Sequence, residues 1–98
     1  MDIEKHKDGK KLEIKLTGRL NSKNAPKLKE VLENDLNDVE ELTFDLSDLI
    51  YISSAGLRII LSAQKTMNKQ GSMKVTNVQD IVMEVFESTG FVDILTFE

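Results

Sequence analysis

The sequence predicts an α/β fold, a mixed β-sheet of four to five strands packed against helices. Two observations predict it. The 98-residue chain opens with a pattern of period two beside a turn dipeptide, and beyond it segments with helix and strand periodicity alternate. Strands that alternate with helices are typical of a sheet covered by helices. The predicted order is β-β-α-β-α-β-α with a short tail. Because no linker or repeat interrupts it, we expect one domain over residues 1–98.

The first sixteen residues are predicted to form a β-hairpin. Asp8-Gly9 is a strong turn dipeptide. After it, Leu12, Ile14 and Leu16 alternate with charged residues, which indicates a strand with one buried face. The segment 17–19 breaks this alternation, so we expect the strand to end there.

An amphipathic helix of about three to four turns is predicted next. Asn21, Ser22 and Asn24 are good N-cap residues, and Pro26 suits a first turn whose N–H groups lack partners. Apolar residues then recur at helical spacing: Ala25, Leu28, Val31, Leu32 and Leu36. The polar segment from residue 34 to residue 41 is expected to end the helix.

The second half of the chain repeats the strand–helix alternation. A short buried strand is predicted over 42–46, a loop over 47–53 and the most buried helix from Ser54 onwards, with Gly71 as its C′ residue. A strand over 73–76 follows. Asp80 is expected to cap a last helix that ends at Gly90, and the apolar tail 91–97 is either a strand or a turn of helix.

Composition excludes several classes of function. The chain has no Cys and a single His, which removes disulfide frameworks, thiol nucleophiles and the zinc patterns built on several Cys or His residues. Its net charge of −4 argues mildly against nucleic acid as a partner. No apolar run approaches the ~20 residues of a membrane span, and no signal peptide pattern is present. We therefore expect a cytoplasmic protein without direct membrane insertion.

The densest functional signal is the segment 45–58. Ser53 or Ser54 lies there at the start of the second helix, where a serine accepts a hydrogen bond from unpaired N–H groups and contributes ~1 kcal/mol. A serine hydrolase is disfavoured, because a nucleophile elbow needs Gly where Ile52 stands and the base would have to be His6. No P-loop or dinucleotide fingerprint is present. We expect no enzyme, no cofactor and no metal site.

The charged residues have ordinary interpretations. Asp45 and Asp48 invite a metal or acid–base interpretation, but two carboxylates at a strand end and its loop more often accept hydrogen bonds in turns and caps. The lysines between residues 5 and 11 are interspersed with acidic residues and lack aromatic neighbours that could stack on bases. We predict a solvated hairpin surface there.

A phosphate on a serine at a helix start has a sound physical basis. The unpaired N–H groups and the positive end of the helix dipole stabilise an anion by ~0.3–1 kcal/mol. Phosphorylation adds about −1.5 to −2 charges, so the net charge would move from −4 to roughly −6. The protein itself would change little, whereas a partner whose interface includes this serine would meet both the bulk and the charge.

These residues resemble the STAS domain family, specifically the stand-alone anti-sigma factor antagonists of bacteria. The resemblance covers nearly all of the chain. It rests on two segments taken together, Leu-Thr-Gly-Arg-Leu-Asn at 16–21 followed by Ala25-Pro26, and Ile-Ser-Ser-Ala-Gly-Leu-Arg at 52–58. The Asp-Leu-Ser strand end at 45–47 and the order of segments also agree with the family's sheet and helices.

The resemblance implies a binding switch. In the family, a serine followed by a small residue and Gly is phosphorylated by an anti-sigma factor that is also a serine kinase of the GHKL type. The unmodified protein binds that kinase and frees a sigma factor; phosphorylation breaks the complex, and a serine phosphatase restores it. Carried over to this sequence, the phosphoacceptor is Ser54. The residues implied to bind the partner are Asn21, Ser22, Ser53, Ala55, Gly56, Leu57 and Arg58.

Two positions depart from the family pattern. Asn21 and Ser53 stand where the family commonly has Asp, and both changes remove negative charge beside the site. Ser53 is also a competing phosphoacceptor. The alternative function is therefore a STAS scaffold or interaction module that works without phosphorylation in a multi-protein or membrane-associated system.

Overall fold

The computed structural model describes residues 1–98 and has the predicted order of elements. The strands are β1 (Asp2–Asp8), β2 (Lys11–Leu20), β3 (Glu41–Ile52) and β4 (Ser72–Thr76). The helices are α1 (Ala25–Asp35), α2 (Ser54–Gln70) and α3 (Asp80–Ser88), and a short 3₁₀ turn (Phe91–Asp93) follows. The predicted α/β fold is confirmed, with four strands in one sheet.

The sheet is mixed, with strand order β1-β2-β3-β4. β1 and β2 are antiparallel and are joined at Gly9, whose φ of +62° confirms the predicted Asp8-Gly9 turn. β2, β3 and β4 are parallel neighbours, so α1 and α2 serve as the crossover connections. The buried side chains of the strands and of all three helices form one core, which places the helices on one face of the sheet.

The predicted loop over 47–53 is wrong, because β3 continues through it to Ile52. Two β-bulges lie in this extension. Lys15 and Thr17 of β2 pair with Asp45 and Asp48 of β3, so one extra β3 residue is inserted, and a second insertion falls between Leu49 and Tyr51. Each bulge reverses the alternation of faces, and β3 therefore buries Leu46, Leu49 and Ile52 at a spacing of three.

β2 also extends further than predicted. The residues 17–19 do not end it; the strand reaches Leu20, with Gly18 at a φ of +96° where the pairing with β3 shifts. A glycine tolerates this backbone conformation without steric cost. The longer β2 carries the chain to the same edge of the sheet as the end of β3.

Three helix and tail details refine or correct the predictions. Gly71 ends α2 with extended backbone (φ 172°) rather than in the left-handed C′ conformation. Gln79, not Asp80, is the N-cap of α3, whereas Gly90 does end this helix region in the left-handed conformation. The tail contains both predicted alternatives. A helical turn comes first, and Phe97 then forms a strand-like parallel bridge with Val75 of β4.

The Asp45 carboxylate fixes the first bulge, which confirms its interpretation as an acceptor. Its Oδ1 accepts hydrogen bonds from the Ser47 N–H at 3.0 Å and the Asn77 amide at 3.4 Å. Partial burial of the carboxylate acts to raise the pKa of Asp45, but these hydrogen bonds and the charge of Lys15 outweigh it and hold the pKa below its ordinary value.

We expect Asp45→Asn to lower the free energy of unfolding near neutral pH by about 1 kcal/mol, since the carboxylate is only partly buried. A carboxylate with a lowered pKa stabilises the fold above its unfolded pKa of about 3.9, and that contribution is lost as the pH falls through the folded value. Urea unfolding at pH 7 and pH 3 checks this. The wild type and Asp45→Asn should differ at pH 7 and converge at low pH; a constant difference would contradict the assignment.

Candidate partner-docking site

Two helix starts meet at one edge of the sheet, where β2 and β3 end side by side. Leu20 pairs with Ile52, and the Ser53 N–H donates to the Leu20 carbonyl at 2.8 Å. The connection from β2 to α1 and the connection from β3 to α2 are therefore neighbours. This edge, at the carboxyl ends of parallel strands, is where α/β folds commonly place their binding residues.

The two serines at this edge have different roles. Ser53 is the N-cap of α2, and its Oγ accepts a hydrogen bond from the Gly56 N–H at 3.2 Å. Ser54 is the first residue of the helix, is exposed, and its hydroxyl takes part in no hydrogen bond within the protein. The capping interpretation made for either serine is thus confirmed for Ser53 alone.

The predicted partner contacts divide into surface and buried residues. Ser22, Ser54 and Arg58 are exposed, and Asn21, Ser53 and Ala55 are partly exposed. Gly56 and Leu57 are buried, and only 1% of Leu57 is exposed. They belong to the predicted docking helix but lie on its core-facing side, and their part in partner binding stays a prediction. Both lie on the apolar face of α2, which packs against the core.

Gly56 allows α2 to approach the ends of β2 and β3 closely. A Cβ at this position would lie 2.6 Å from Leu20 Cγ and 3.1 Å from Ile52 Cγ1. The helix start, with Ser53 and Ser54, is therefore held firmly against the sheet.

The Asn21 loop is organised by four side-chain hydrogen bonds, two of which join Asn21 and Asn24 reciprocally. Asn21 Oδ1 accepts from the N–H groups of Lys23 and Asn24 at 3.0 Å each, and Asn24 Oδ1 accepts from the Asn21 N–H at 2.8 Å. The Asn24 amide also donates to the Arg19 carbonyl at 2.8 Å. An aspartate could accept the same bonds at position 21, so asparagine keeps the geometry of the loop while removing a charge.

His6 does not approach Ser54. It lies on β1 opposite Glu13, near the hairpin turn and at the other end of β2 from Leu20. The nucleophile–base pair of a serine hydrolase is therefore not assembled at this edge.

Comparison with known proteins places this arrangement in a family. The sequence profile of the STAS domain matches residues 2–98. The chain belongs to the STAS domain family. BtrV of Bordetella bronchiseptica is 40% identical to it over 81 residues, which cover 81% of this chain and 70% of BtrV. The anti-sigma-B factor antagonist of Listeria monocytogenes is 32% identical over 95 residues, covering 93% of this chain and 82% of the relative.

Solved structures show the same fold. The Bacillus anti-sigma factor antagonist SpoIIAA, in its unphosphorylated form, superimposes with a TM-score of 0.84 at 15% identity, over 99% of this chain and 88% of SpoIIAA. This agreement confirms the STAS architecture of the sheet and helices. None of the helices in this STAS domain has the length and apolar character needed to cross a bilayer.

Sequence reasoning missed three residues on the surface of this STAS domain. Ile50 and Tyr51 are 48% and 40% exposed, although large apolar side chains are otherwise mostly buried. The guanidinium of Arg19 lies 4.6 Å from the centre of the Tyr51 ring, a cation–π contact between paired strand residues. In the sequence Ile50, Tyr51 and Ile52 are three successive apolar residues, and only the bulges show that the first two face solvent.

Proposed function

We propose that this STAS domain is an anti-sigma factor antagonist whose binding is switched by phosphorylation of Ser54. The observation that carries the proposal is an exposed serine with a free hydroxyl at the first position of a helix, next to a serine already used as the cap. The Listeria relative is named an anti-sigma-B factor antagonist, and SpoIIAA has been solved in a phosphorylated form as well. The first supports the antagonist role, and the second supports phosphorylation as its switch.

In the proposed mechanism the unmodified chain docks on an anti-sigma factor that is a GHKL-type serine kinase, and so frees a sigma factor. Within the complex the Ser54 Oγ attacks the γ-phosphorus of ATP, its proton passes to a base of the kinase, and ADP leaves. The base and the ATP-bound Mg²⁺ belong to the kinase. A serine phosphatase would return Ser54 to its free hydroxyl.

The environment of the two serines favours Ser54 over Ser53 as the acceptor. Ser53 is the less available of the two, because its Oγ already accepts a hydrogen bond from the Gly56 N–H and the residue is only partly exposed, whereas Ser54 is exposed. On Ser54 the added phosphate lies within the first turn of α2, where the helix dipole stabilises negative charge and no acidic residue precedes or follows in that turn.

Incubation with the cognate anti-sigma factor and ATP, followed by intact-mass spectrometry, tests the proposal. The wild type should gain one phosphate per chain, Ser54→Ala none, and Ser62→Ala, which removes another exposed serine of α2, one as in the wild type. Ser53→Ala should still be phosphorylated, with a lower melting temperature. Phosphate incorporation by Ser54→Ala equal to the wild type would assign the modification to another residue.

The second candidate function is a STAS interaction module that works without phosphorylation, favoured by the uncharged Asn21 and Ser53. It predicts that the chain binds its partner equally well whether position 54 is Ser, Ala or Glu. Pull-down of a scaffold or transporter component with no kinase, together with that equality, would favour this function over the switch.

A further inference from the structure

The charges of this chain are strongly segregated along the sequence. Residues 14–29 and 49–79 contain nine of the 13 Lys and Arg residues and none of the 17 Asp and Glu residues. The other 51 residues carry four cations and all of the carboxylates. The net charge of −4 therefore combines +9 in the first set with −13 in the second. The two cationic segments meet at the edge of the sheet where β2 and β3 end, which we term the docking edge. They include the ends of these two strands and the starts of α1 and α2.

The cations at this edge are also the ones without ionic partners. All six ion pairs use lysines of the strands and the hairpin turn, as in Lys15–Asp48 at 3.1 Å and Lys10–Glu40 at 2.8 Å. The seven remaining cations are exposed and form no ion pair. Five of them lie at the end of β2, in the β2–α1 connection and in the first turns of α1 and α2, and define what we term the cationic face: Arg19, Lys23, Lys27, Lys29 and Arg58. Lys65 and Lys69 extend it along α2.

The cationic face includes residues of both helices, which are separated by a groove. Lys29 of α1 lines the groove between α1 and α2 together with Ile59, Ser62 and Thr66. The exposed Glu30 follows Lys29 directly and marks where the cationic face ends on α1, and Glu33 borders the same groove one turn further along. Arg58 lies one turn after Ser54 on the exposed side of α2, at the i+4 position that shares its face.

We propose that the cationic face docks on an acidic protein surface, which, given the proposed function, belongs to the anti-sigma factor. Exposed like charges without counter-charges repel one another, and an acidic partner relieves that repulsion and accelerates encounter. The neutral residues Asn21 and Ser53 fit this arrangement, because carboxylates at these two positions would cancel part of the positive field. Phosphorylation of Ser54 would place about −2 charges one helical turn from Arg58, where β2 and β3 end.

The surroundings favour a protein over nucleic acid or a lipid surface. Ile50 and Tyr51 present apolar area at the same edge, and a charged rim around exposed apolar side chains is the usual composition of a protein interface. The chain has no tryptophan, and Tyr51 is its one tyrosine. Because Arg19 already covers the Tyr51 ring, this ring is not free to stack on nucleic-acid bases. The molecule is only 19 Å thick in its shortest direction, so its acidic residues stay near any extended polyanion that binds the cationic face. Their negative charge would repel such a polyanion.

Charge neutralisation tests the proposal. The test variant is Lys23→Gln/Lys27→Gln/Arg58→Gln, and the matched control is Lys7→Gln/Lys10→Gln/Lys11→Gln, which removes the same charge near the hairpin turn. We expect the test variant to associate with the anti-sigma factor about tenfold more slowly at low ionic strength, and the control less than about twofold. Raising the salt to about 0.5 M should bring the wild type close to the test variant. Equal rates for test and control variants would overturn the proposal.

A probe that does not need the anti-sigma factor separates this inference from the proposed function. Poly-L-glutamate titrated into the ¹⁵N-labelled chain should shift the amide signals of residues 19–29 and 53–58 and leave those of the hairpin turn in place. Uniform shifts, no shifts, or tighter binding of a DNA duplex or phosphatidylserine vesicles at equal charge concentration would overturn it. If these shifts appear but no anti-sigma factor binds, the acidic-partner inference stands and the proposed function fails.

Discussion

Replacing Gly71 with alanine should lower the free energy of unfolding by about 3 kcal/mol, the upper part of the range for overpacked sites. A Cβ at this position would overlap the carbonyl oxygen of Glu40 and lie 2.6 Å from its carbonyl carbon. The Glu40 backbone cannot easily withdraw, because its N–H donates to the Lys10 carbonyl at 2.8 Å and its carbonyl accepts from the Ser72 N–H at 2.9 Å. The β1–β2 turn, the α1–β3 connection and the α2–β4 connection therefore meet at a point where a side chain has no room.

Denaturant and thermal unfolding of the purified chain measure this effect, and we expect the melting temperature to fall by about 12 °C or more. Gly90→Ala is the matched control. Gly90 has a φ of +78°, and a Cβ added there would have no atom within 4 Å, so alanine should cost only about 1 kcal/mol of backbone strain. A loss of stability for Gly71→Ala no greater than that of Gly90→Ala would show that the close approach to Glu40 is relaxed at little cost.

The same glycine illustrates what sequence patterns can and cannot predict. The order of elements was predictable because periodicities of two and of about 3.6 residues report directly which face of a strand or helix is buried. The end of α2 at Gly71 was also predicted, with Gly71 as a left-handed C′ residue. The structure shows a different reason for the glycine, which is the close approach of the Glu40 backbone. A glycine demanded by a neighbouring backbone looks identical in sequence to one demanded by a left-handed turn.

The extension of β3 could not be predicted from periodicity, because bulges erase it. Leu42, Phe44 and Leu46 follow the strand pattern, and the buried residues then shift to a spacing of three at Leu49 and Ile52. A spacing of three is closer to a helix or an irregular segment than to a strand. The hydrogen bond that fixes the first bulge, from the Ser47 N–H to Asp45, involves two residues whose types are equally common in loops.

The docking edge was partly predictable. The motif around Ser54 identified the helix start, but only geometry distinguishes Ser53 as the cap from Ser54 as the exposed serine. The sequence alone shows that residues 14–29 and 49–79 contain no carboxylates. That these two segments meet in space depends on the parallel pairing of β2 and β3. Charge segregation acquires a functional meaning only once the topology brings both stretches to one edge.

Phosphorylation of Ser54 should weaken binding to the anti-sigma factor by roughly 2–5 kcal/mol, a factor of about 30 to several thousand. The cause is the new dianion rather than a change of fold, since the first turn of α2 accommodates negative charge. The melting temperature of the phosphorylated chain should therefore stay within about 3 °C of the unmodified chain, a shift that corresponds to less than 1 kcal/mol. Isothermal titration calorimetry of both forms against the anti-sigma factor measures the loss of affinity.

Charge and bulk can be separated at this position with side chains of nearly equal size. Ser54→Glu should weaken binding about tenfold and Ser54→Gln less than about threefold, because only Glu places a negative charge opposite an acidic partner. Ser62→Glu adds the same charge two turns along α2 and should weaken binding less than Ser54→Glu. High salt should narrow the gap between Glu and Gln, since screening acts on the charge and leaves the bulk unchanged. Equal losses for Ser54→Glu and Ser54→Gln would mean that steric exclusion alone operates the switch, and the cationic face would then have no part in it.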